Sequence, residues 1–81
     1  MFSIEVKTNQ NYQIRKQFVK IGKWTKIKTT KDKNEAEKEI AYIQSDVQDF
    51  AHLLRNFKIE YRLMNDDQQV WHKEEEYRGE R

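Results

Sequence analysis

The chain has 81 residues, of which 36% are apolar and 37% are charged, so we expect one small domain with a thin hydrophobic core. It contains no cysteine, which excludes disulfides and thiolate metal sites. No apolar run approaches the roughly 20 residues of a membrane span, and Met1–Glu5 lacks the pattern of a signal peptide. We therefore expect a cytoplasmic protein that does not associate with membranes.

Charge is distributed unevenly along the chain. Residues 1–33 hold nine basic and two acidic side chains, a net charge of +7, whereas residues 34–81 hold seven and twelve, a net charge of −5. The two values sum to the overall charge of +2. Such separation creates local fields that select partners, and it predicts a binding protein.

Alternating apolar and polar residues predict three strands in the first third of the chain. The asparagine-rich segment 8–11 and Gly22 supply the turns between these strands. The predicted strands are residues 2–7, 12–21 and 23–29.

The second predicted strand contains one exception to its alternation. Tyr12, Ile14 and Phe18 are expected to face the core, and Lys16 shares their parity. We interpret Lys16 as a bulge, or as a lysine that extends off a sheet edge.

A helix of about 23 residues is predicted between Asp32 and Asn56. Asp32 with Glu35 can form a capping box, Asn34 is a competing cap, and Asn56 can end the helix in a left-handed conformation. A coiled coil is the alternative interpretation of the apolar spacing in this helix. The strands predicted on either side have an apolar face that must be buried, so we expect the helix to pack on its own sheet. The predicted core stripe consists of Ala36, Ile40, Ile43, Val47, Phe50 and Leu54.

Two further strands, residues 59–63 and 69–75, are predicted after the helix, with a turn at residues 65–68. The charged residues 76–81 are expected to fray. The predicted fold is a single α+β domain over residues 1–75. It has an antiparallel sheet of four to five strands in the order β-β-β-α-β-β, and one long amphipathic helix packs on one face.

The sheet face that the helix leaves open is the predicted binding site. Lysine and arginine there can neutralise phosphates, and an aromatic ring can stack on a base. The alternative is that Trp24 lies in the core and the lysines form a solvated surface. The predicted basic face consists of Arg15, Lys16, Lys20, Lys23, Trp24, Lys26 and Lys28, with Gln13 and Gln17 beside them.

Residues 12–37 resemble the arm-type DNA-binding domain of phage and transposon integrases. The similarity lies in Tyr12–Arg15, in Gly22–Trp24 and in the residues 29–37 that lead into the helix. The resemblance implies a three-stranded sheet that enters the DNA major groove, with contacts from Arg15, Trp24, Lys26 and Lys28. The strands predicted after the helix depart from that family.

In its short length, its Lys/Asn/Ile-rich composition and its polarised charge, the chain also resembles small anti-defence proteins of bacteriophages. This resemblance implies a protein that blocks restriction or CRISPR machinery. Such proteins occupy a nucleic-acid-binding site or present acidic side chains in place of phosphates. The corresponding acidic positions are Asp46, Asp49, Asp66, Asp67, Glu74, Glu75 and Glu76.

Catalytic and metal-binding patterns are poorly represented. Glu5–Lys7 matches half of a metal-dependent nuclease motif, but the upstream aspartate is missing, so we interpret it as an ion pair at a strand edge. His52 and His72 are distant in sequence and make a poor metal site without cysteine. Neither serine has an adjacent histidine. We therefore expect a non-enzymatic protein without metal or cofactor.

The sequence favours a small binding protein, encoded by a phage or a mobile element, that acts by occlusion on a nucleic-acid-processing machine. Its expected partner is a protein or ribonucleoprotein. Direct binding of DNA or RNA through the basic face, in an accessory or regulatory role, is the alternative. A self-assembling module such as a homodimer is a third possibility, because the oppositely charged regions permit self-association.

Overall fold

Residues 1–79, which a computed structural model describes, contain six strands and one helix. The elements are β1 Phe2–Thr8, β2 Tyr12–Ile14, β3 Gln17–Val19, β4 Thr25–Thr30, α1 Lys33–Ala51, β5 Phe57–Asn65 and β6 Gln68–Tyr77. Four strands form one antiparallel sheet in the order β4-β1-β5-β6, and β2 with β3 forms a separate hairpin. The predicted α+β class with a single long helix is confirmed.

The core lies between one face of the four-stranded sheet and a second layer made of α1 and the hairpin. Alternation along β1 and β5 turns every second side chain toward this layer. The sheet contributes Ile4, Val6, Phe57, Ile59, Tyr61 and Leu63, the helix contributes Ala36, Ile40, Ile43, Val47 and Ala51, and the hairpin contributes Ile14 and Val19.

Helix α1 begins as predicted and ends earlier. The Asp32 side chain caps it by accepting a hydrogen bond from the Asn34 backbone N–H at 2.9 Å. Glu35 does not complete a capping box, because its carboxylate accepts instead from the Thr30 hydroxyl at 2.8 Å. Asn56 is left-handed, with φ of 54°, but it follows the helix end at Ala51 by five residues.

The predicted core position of Phe50 is wrong. Phe50 is 59% exposed, and Ala51 occupies the buried position one residue further along. A helix of 3.6 residues per turn drifts from a strict heptad pattern, so the position after Val47 that faces the core is four residues on. Leu54 is half-buried and still packs against the core.

The second predicted strand is in fact a hairpin. Ile14 pairs with Gln17, which leaves Arg15 and Lys16 as a two-residue turn. Both turn residues have positive φ, 52° for Arg15 and 65° for Lys16, as in a type I′ reversal. Lys16 therefore lies at the tip of a turn, and the bulge or sheet edge predicted there is not observed.

Because the chain reverses at Arg15 and Lys16, the odd-numbered residue Val19, and not the even-numbered Phe18, faces the core after the turn. Val19, opposite Tyr12, is buried, whereas Phe18, opposite Gln13, is 72% exposed. The predicted inward orientation of Phe18 is wrong for this reason. Tyr12 does face inward, and its ring lies 5.0 Å from that of Phe57.

A β-bulge changes the direction of the side chains in β4. Ile4 pairs with Lys28 and Glu5 pairs with Lys26, so Ile27 is the extra residue. Ile27 packs partly buried against the core. Lys28 turns toward the helix rather than toward the open face of the sheet, where the sequence had placed it.

Strand β6 pairs with β5 along its whole length, which confirms a fifth predicted strand. It includes Glu76 and Tyr77, which were expected to fray. Residues 80 and 81 of that predicted tail lie outside the described residues. No helix in the described part of the chain combines the length and apolar character that crossing a membrane requires.

Candidate binding surfaces

The sheet face opposite α1, here named the open face, carries balanced charge. Strand register places four cationic and four anionic side chains on it: Lys7, Lys26, Lys58 and Arg62 with Glu5, Glu60, Glu74 and Glu76. Arg62 Nη2 lies 2.6 Å from Glu5 Oε1, and Lys7 Nζ lies 3.1 Å from Glu60 Oε1. Because it carries equal numbers of cations and anions and two of the cations are held in ion pairs, the open face is not the basic surface that the sequence predicts.

Trp24 lies on the open face, as predicted, but its ring is in contact with cations of its own chain. Arg62 Cζ is 4.2 Å and Lys7 Nζ 4.8 Å from the ring centroid, within cation–π range. The imidazole of His72 meets the same ring edge-on at 6.5 Å. Trp24 is thus held among β1, β5 and β6, and the hairpin lysines do not surround it.

Two of the predicted basic-face residues, Arg15 and Lys28, contact the carboxylate of Glu39 on α1. The Glu39 side chain is only 10% exposed, and Arg15 Nε approaches its Oε2 at 2.8 Å. Lys28 Nζ lies 3.7 Å from the other oxygen. The contact between Arg15 Nε and Glu39 Oε2 does not have the geometry of a hydrogen bond, so it is an electrostatic contact only. Arg15 Nη2 does donate a hydrogen bond to the other oxygen, Oε1, at 3.4 Å. Arg15 and Lys28 therefore fasten the hairpin and β4 to the helix.

The hairpin displays what we name the basic hairpin surface: Lys16, Phe18, Lys20 and Lys23. Lys16, Phe18 and Lys20 occupy alternate positions, and all four side chains are exposed. Among residues 1–79, these lysines form no ion pair within 4 Å. This surface combines cations with an exposed aromatic ring.

The basic hairpin surface is held in place by the fold. Ile14 and Val19 anchor the hairpin in the core, and the Gln17 side chain donates to the Lys26 carbonyl at 2.9 Å. The Lys20 backbone N–H donates to the Thr25 hydroxyl at 2.9 Å. Of the seven predicted basic-face residues, Lys16, Lys20 and Lys23 are exposed in the hairpin and in the turn that follows it. Sequence reasoning missed Phe18 here because it placed that ring in the core.

The predicted acidic residues do not form one surface. Asp46 and Asp49 lie on α1, Asp66 and Asp67 lie in the β5–β6 turn, and Glu74–Glu76 lie on β6. Eight residues of strand, about 26 Å, separate Asp67 from Glu75. Asp66 contacts the N-terminal ammonium of Met1 at 3.4 Å. The acidic positions are thus divided among three regions of the molecule.

Glu75 has a structural role on the core side of β6. Its Oε1 accepts hydrogen bonds from the Tyr61 hydroxyl at 3.0 Å and from the Tyr77 hydroxyl at 3.1 Å. Burial and the adjacent Glu75 charge raise the pKa of Tyr61 well above 10, and the same causes raise the pKa of Tyr77 to about 12.

The solvent side of α1 carries an exposed row of residues that we name the outer helix stripe. Its members recur at helical spacing and combine three large apolar side chains with two carboxylates. Arg15 Cζ in the hairpin turn lies 4.4 Å from the centroid of the Tyr42 ring, so the stripe borders the hairpin. Burial and then the charge of Asp46 raise the pKa of Tyr12. The outer helix stripe consists of Tyr42, Asp46, Asp49, Phe50 and Leu53.

Three potential metal ligands meet on the open face. Glu60, His72 and Glu74 each offer an atom, and these atoms lie within 4.8 Å of one another. Burial raises the pKa of Glu60, but the adjacent ammonium of Lys7 lowers it, and the pKa lies below its usual value. Sequence reasoning missed this group because it depends on the register of β5 and β6.

Comparisons of the chain with protein-family models, with curated proteins and with solved structures found no match.

Proposed function

We propose that this chain is a non-enzymatic, cytoplasmic binding protein that engages nucleic acid through the basic hairpin surface. The observation that carries the proposal is the aromatic ring of Phe18, which is 72% exposed and lies between the exposed Lys16 and Lys20 in the sequence of the hairpin. Lysines that form no ion pair among residues 1–79 can neutralise phosphates, and an exposed ring can stack on an unpaired base. The balanced open face offers no comparable field.

The backbone at the hairpin tip supports the same proposal. Arg15 and Lys16 hold left-handed conformations that cost a non-glycine residue about 1–2 kcal/mol each. Strained backbone of this kind is common at binding sites, where the surrounding structure maintains it. Here the contact between Arg15 and Glu39 maintains the turn, which projects Lys16 from the molecule.

Fluorescence anisotropy with labelled single-stranded DNA, RNA and duplex DNA tests the proposal. The triple variant Lys16→Glu/Lys20→Glu/Lys23→Glu should lose at least tenfold in affinity. The triple variant Lys31→Glu/Lys33→Glu/Lys38→Glu makes the same change in net charge around the start of α1, and it should bind much more tightly than the hairpin variant. If the two triple variants lost the same affinity, net charge alone would explain the binding and the proposal would fail. A parent protein that binds no nucleic acid at low salt would also contradict the proposal.

The salt dependence provides a second measurement of the same contact. Three phosphate contacts predict a slope of about −2 in log affinity against log salt on single strands and about −3 on duplex DNA. Phe18→Ala should cost about 1–3 kcal/mol on single strands if the ring stacks on a base. The same substitution should matter less on duplex DNA, where the bases are already stacked.

Occlusion of a nucleic-acid-processing machine is the second candidate, and the outer helix stripe is the observation that favours it. Aromatic side chains such as those of Tyr42 and Phe50 are enriched in protein interfaces. Asp46 and Asp49 beside them can replace phosphates in a basic groove of the target. This role suits an anti-defence protein of a phage or mobile element, as the resemblance in size and composition implies.

Affinity capture from cells, with and without nuclease treatment, distinguishes the two candidates. Partners retained after nuclease treatment and lost with Asp46→Lys/Asp49→Lys would support occlusion. Partners lost on nuclease treatment, and lost with the hairpin variant, would support direct nucleic-acid binding.

A further inference from the structure

We propose that Glu60, His72 and Glu74 form a binding site for a divalent transition metal, with Zn²⁺ as the ion that best suits these donors. The site lies on the open face and is independent of the basic hairpin surface.

Strand pairing assembles the three ligands. Glu60 on β5 lies directly opposite Glu74 on β6, and His72 lies two residues before Glu74 on the same face. His72 Nε2 and Glu60 Oε2 are 3.3 Å apart. Two ligands on a tetrahedral zinc with bonds of 2.0–2.1 Å are separated by about 3.4 Å, so this pair already has the required spacing. The Glu74 carboxylate lies within 4.8 Å of both of these atoms, and its exposed side chain would have to move closer to complete the site.

The chemistry of the donors selects the metal. One imidazole nitrogen and two carboxylates leave a fourth position for water, an arrangement that zinc adopts with three protein ligands. Mg²⁺ and Ca²⁺ prefer oxygen ligands alone, so the imidazole of His72 favours a transition metal over them. Like charges that face each other across a strand pair are destabilising, and a bound cation removes that repulsion between Glu60 and Glu74.

The neighbouring residues hold the first two ligands in position. Lys7 Nζ contacts Glu60 Oε1 at 3.1 Å, which leaves Oε2 directed at His72. The Trp24 ring meets the His72 imidazole edge-on with an interplanar angle of 75°. In metal sites, contacts of this kind fix the orientation of the ligand side chains. The ammonium of Lys7 also repels an incoming cation, so we expect micromolar rather than nanomolar affinity.

Isothermal titration of zinc chloride into the full chain at neutral pH tests the site. We expect one ion per chain, and at least a tenfold loss of affinity with His72→Gln and with Glu74→Gln. His52→Gln removes the other histidine, and Glu76→Gln removes another glutamate of the same strand and face. Both control variants should bind zinc as the parent does, and Mg²⁺ should bind at least a hundredfold more weakly than zinc.

Circular dichroism first establishes that each variant is folded. Two ligands, His72 and Glu74, are replaced in separate variants, so the test can still be made if one of the variants misfolds. Zinc-dependent shifts of the His72 ring nitrogens in NMR spectra would provide independent support. Parent-like binding by His72→Gln, an equal loss with His52→Gln, equal affinity for Mg²⁺, or no binding at millimolar zinc would each overturn the proposal.

Discussion

Arg15 and Glu39 join the hairpin to the helix, with 2.8 Å between the guanidinium Nε and the carboxylate Oε2. Arg15 holds a left-handed backbone, and Glu39 is a nearly buried acid on α1. Each residue is unfavourable alone, since one carries backbone strain and the other a desolvated charge. Together with Lys28, which approaches the same carboxylate at 3.7 Å, they organise the hairpin, β4 and α1.

Arg15→Ala should lower the free energy of unfolding by about 1–2 kcal/mol, because it leaves the Glu39 carboxylate with Lys28 alone. The value is smaller than for a fully buried pair because the Arg15 side chain is 44% exposed. Lys16→Ala is the matched control, since Lys16 shares the turn and the positive φ but has no ion pair within the described residues. Urea denaturation that finds both variants equally stable would show that the contact contributes nothing.

Lys16→Gly should raise the free energy of unfolding by up to about 1 kcal/mol, because glycine adopts a φ of 65° without steric cost. The same substitution at Lys20, where φ is not positive, should instead destabilise the protein through lost backbone entropy. Lys16→Gly should also weaken nucleic-acid binding, because it removes one cation of the basic hairpin surface. A destabilised Lys16→Gly variant would contradict the strain assigned to this turn.

Ile43→Ala should destabilise the protein by about 2–5 kcal/mol, whereas Phe50→Ala should change stability by less than about 0.5 kcal/mol. Ile43 is 1% exposed and Phe50 59% exposed, although both belong to the apolar stripe seen in the sequence. Thermal or chemical denaturation of the two variants provides the comparison. A large loss of stability with Phe50→Ala would mean that this ring is covered in solution, as it would be in an oligomer.

Elements set by strong periodicity could be predicted from the sequence. Ile4 and Val6 in β1, and Ile40 and Ile43 in α1, repeat at the spacing of their element, and burial follows from that spacing alone. The capping of α1 by Asp32 was equally local, since it needs only a side-chain oxygen two residues before a free N–H.

Surfaces that depend on register could not be predicted. Arg15 and Lys16 are poor residues for a type I′ turn, which usually takes Asn-Gly, and the contact that maintains this turn comes from Glu39, 24 residues away. A simple hairpin around the 65–68 turn would place Glu60 opposite Lys73. A register shift between Leu63 and Met64 instead places it opposite Glu74. One bulge therefore determines whether the metal ligands meet.

High pH should destabilise the protein through Tyr61 and Tyr77, whose hydroxyls both donate to Glu75 Oε1. Burial, with the Glu75 charge, raises the pKa of both hydroxyls above the ordinary value of 10.0. The unfolded chain therefore releases these protons first. The stability that they contribute is complete below about pH 10 and is lost as the pH rises from 10 toward 12 and beyond.

Urea midpoints measured between about pH 8 and pH 12, with tyrosinate absorbance recorded in parallel, test this expectation. Tyr61→Phe should be less stable than the parent by about 1 kcal/mol at the lower pH, because it loses a hydrogen bond to Glu75. It should also lose less stability across the alkaline range, because its buried ring no longer titrates. Parallel losses in the parent and in Tyr61→Phe would show that the Tyr61 hydroxyl ionises in the folded protein as easily as in the unfolded chain.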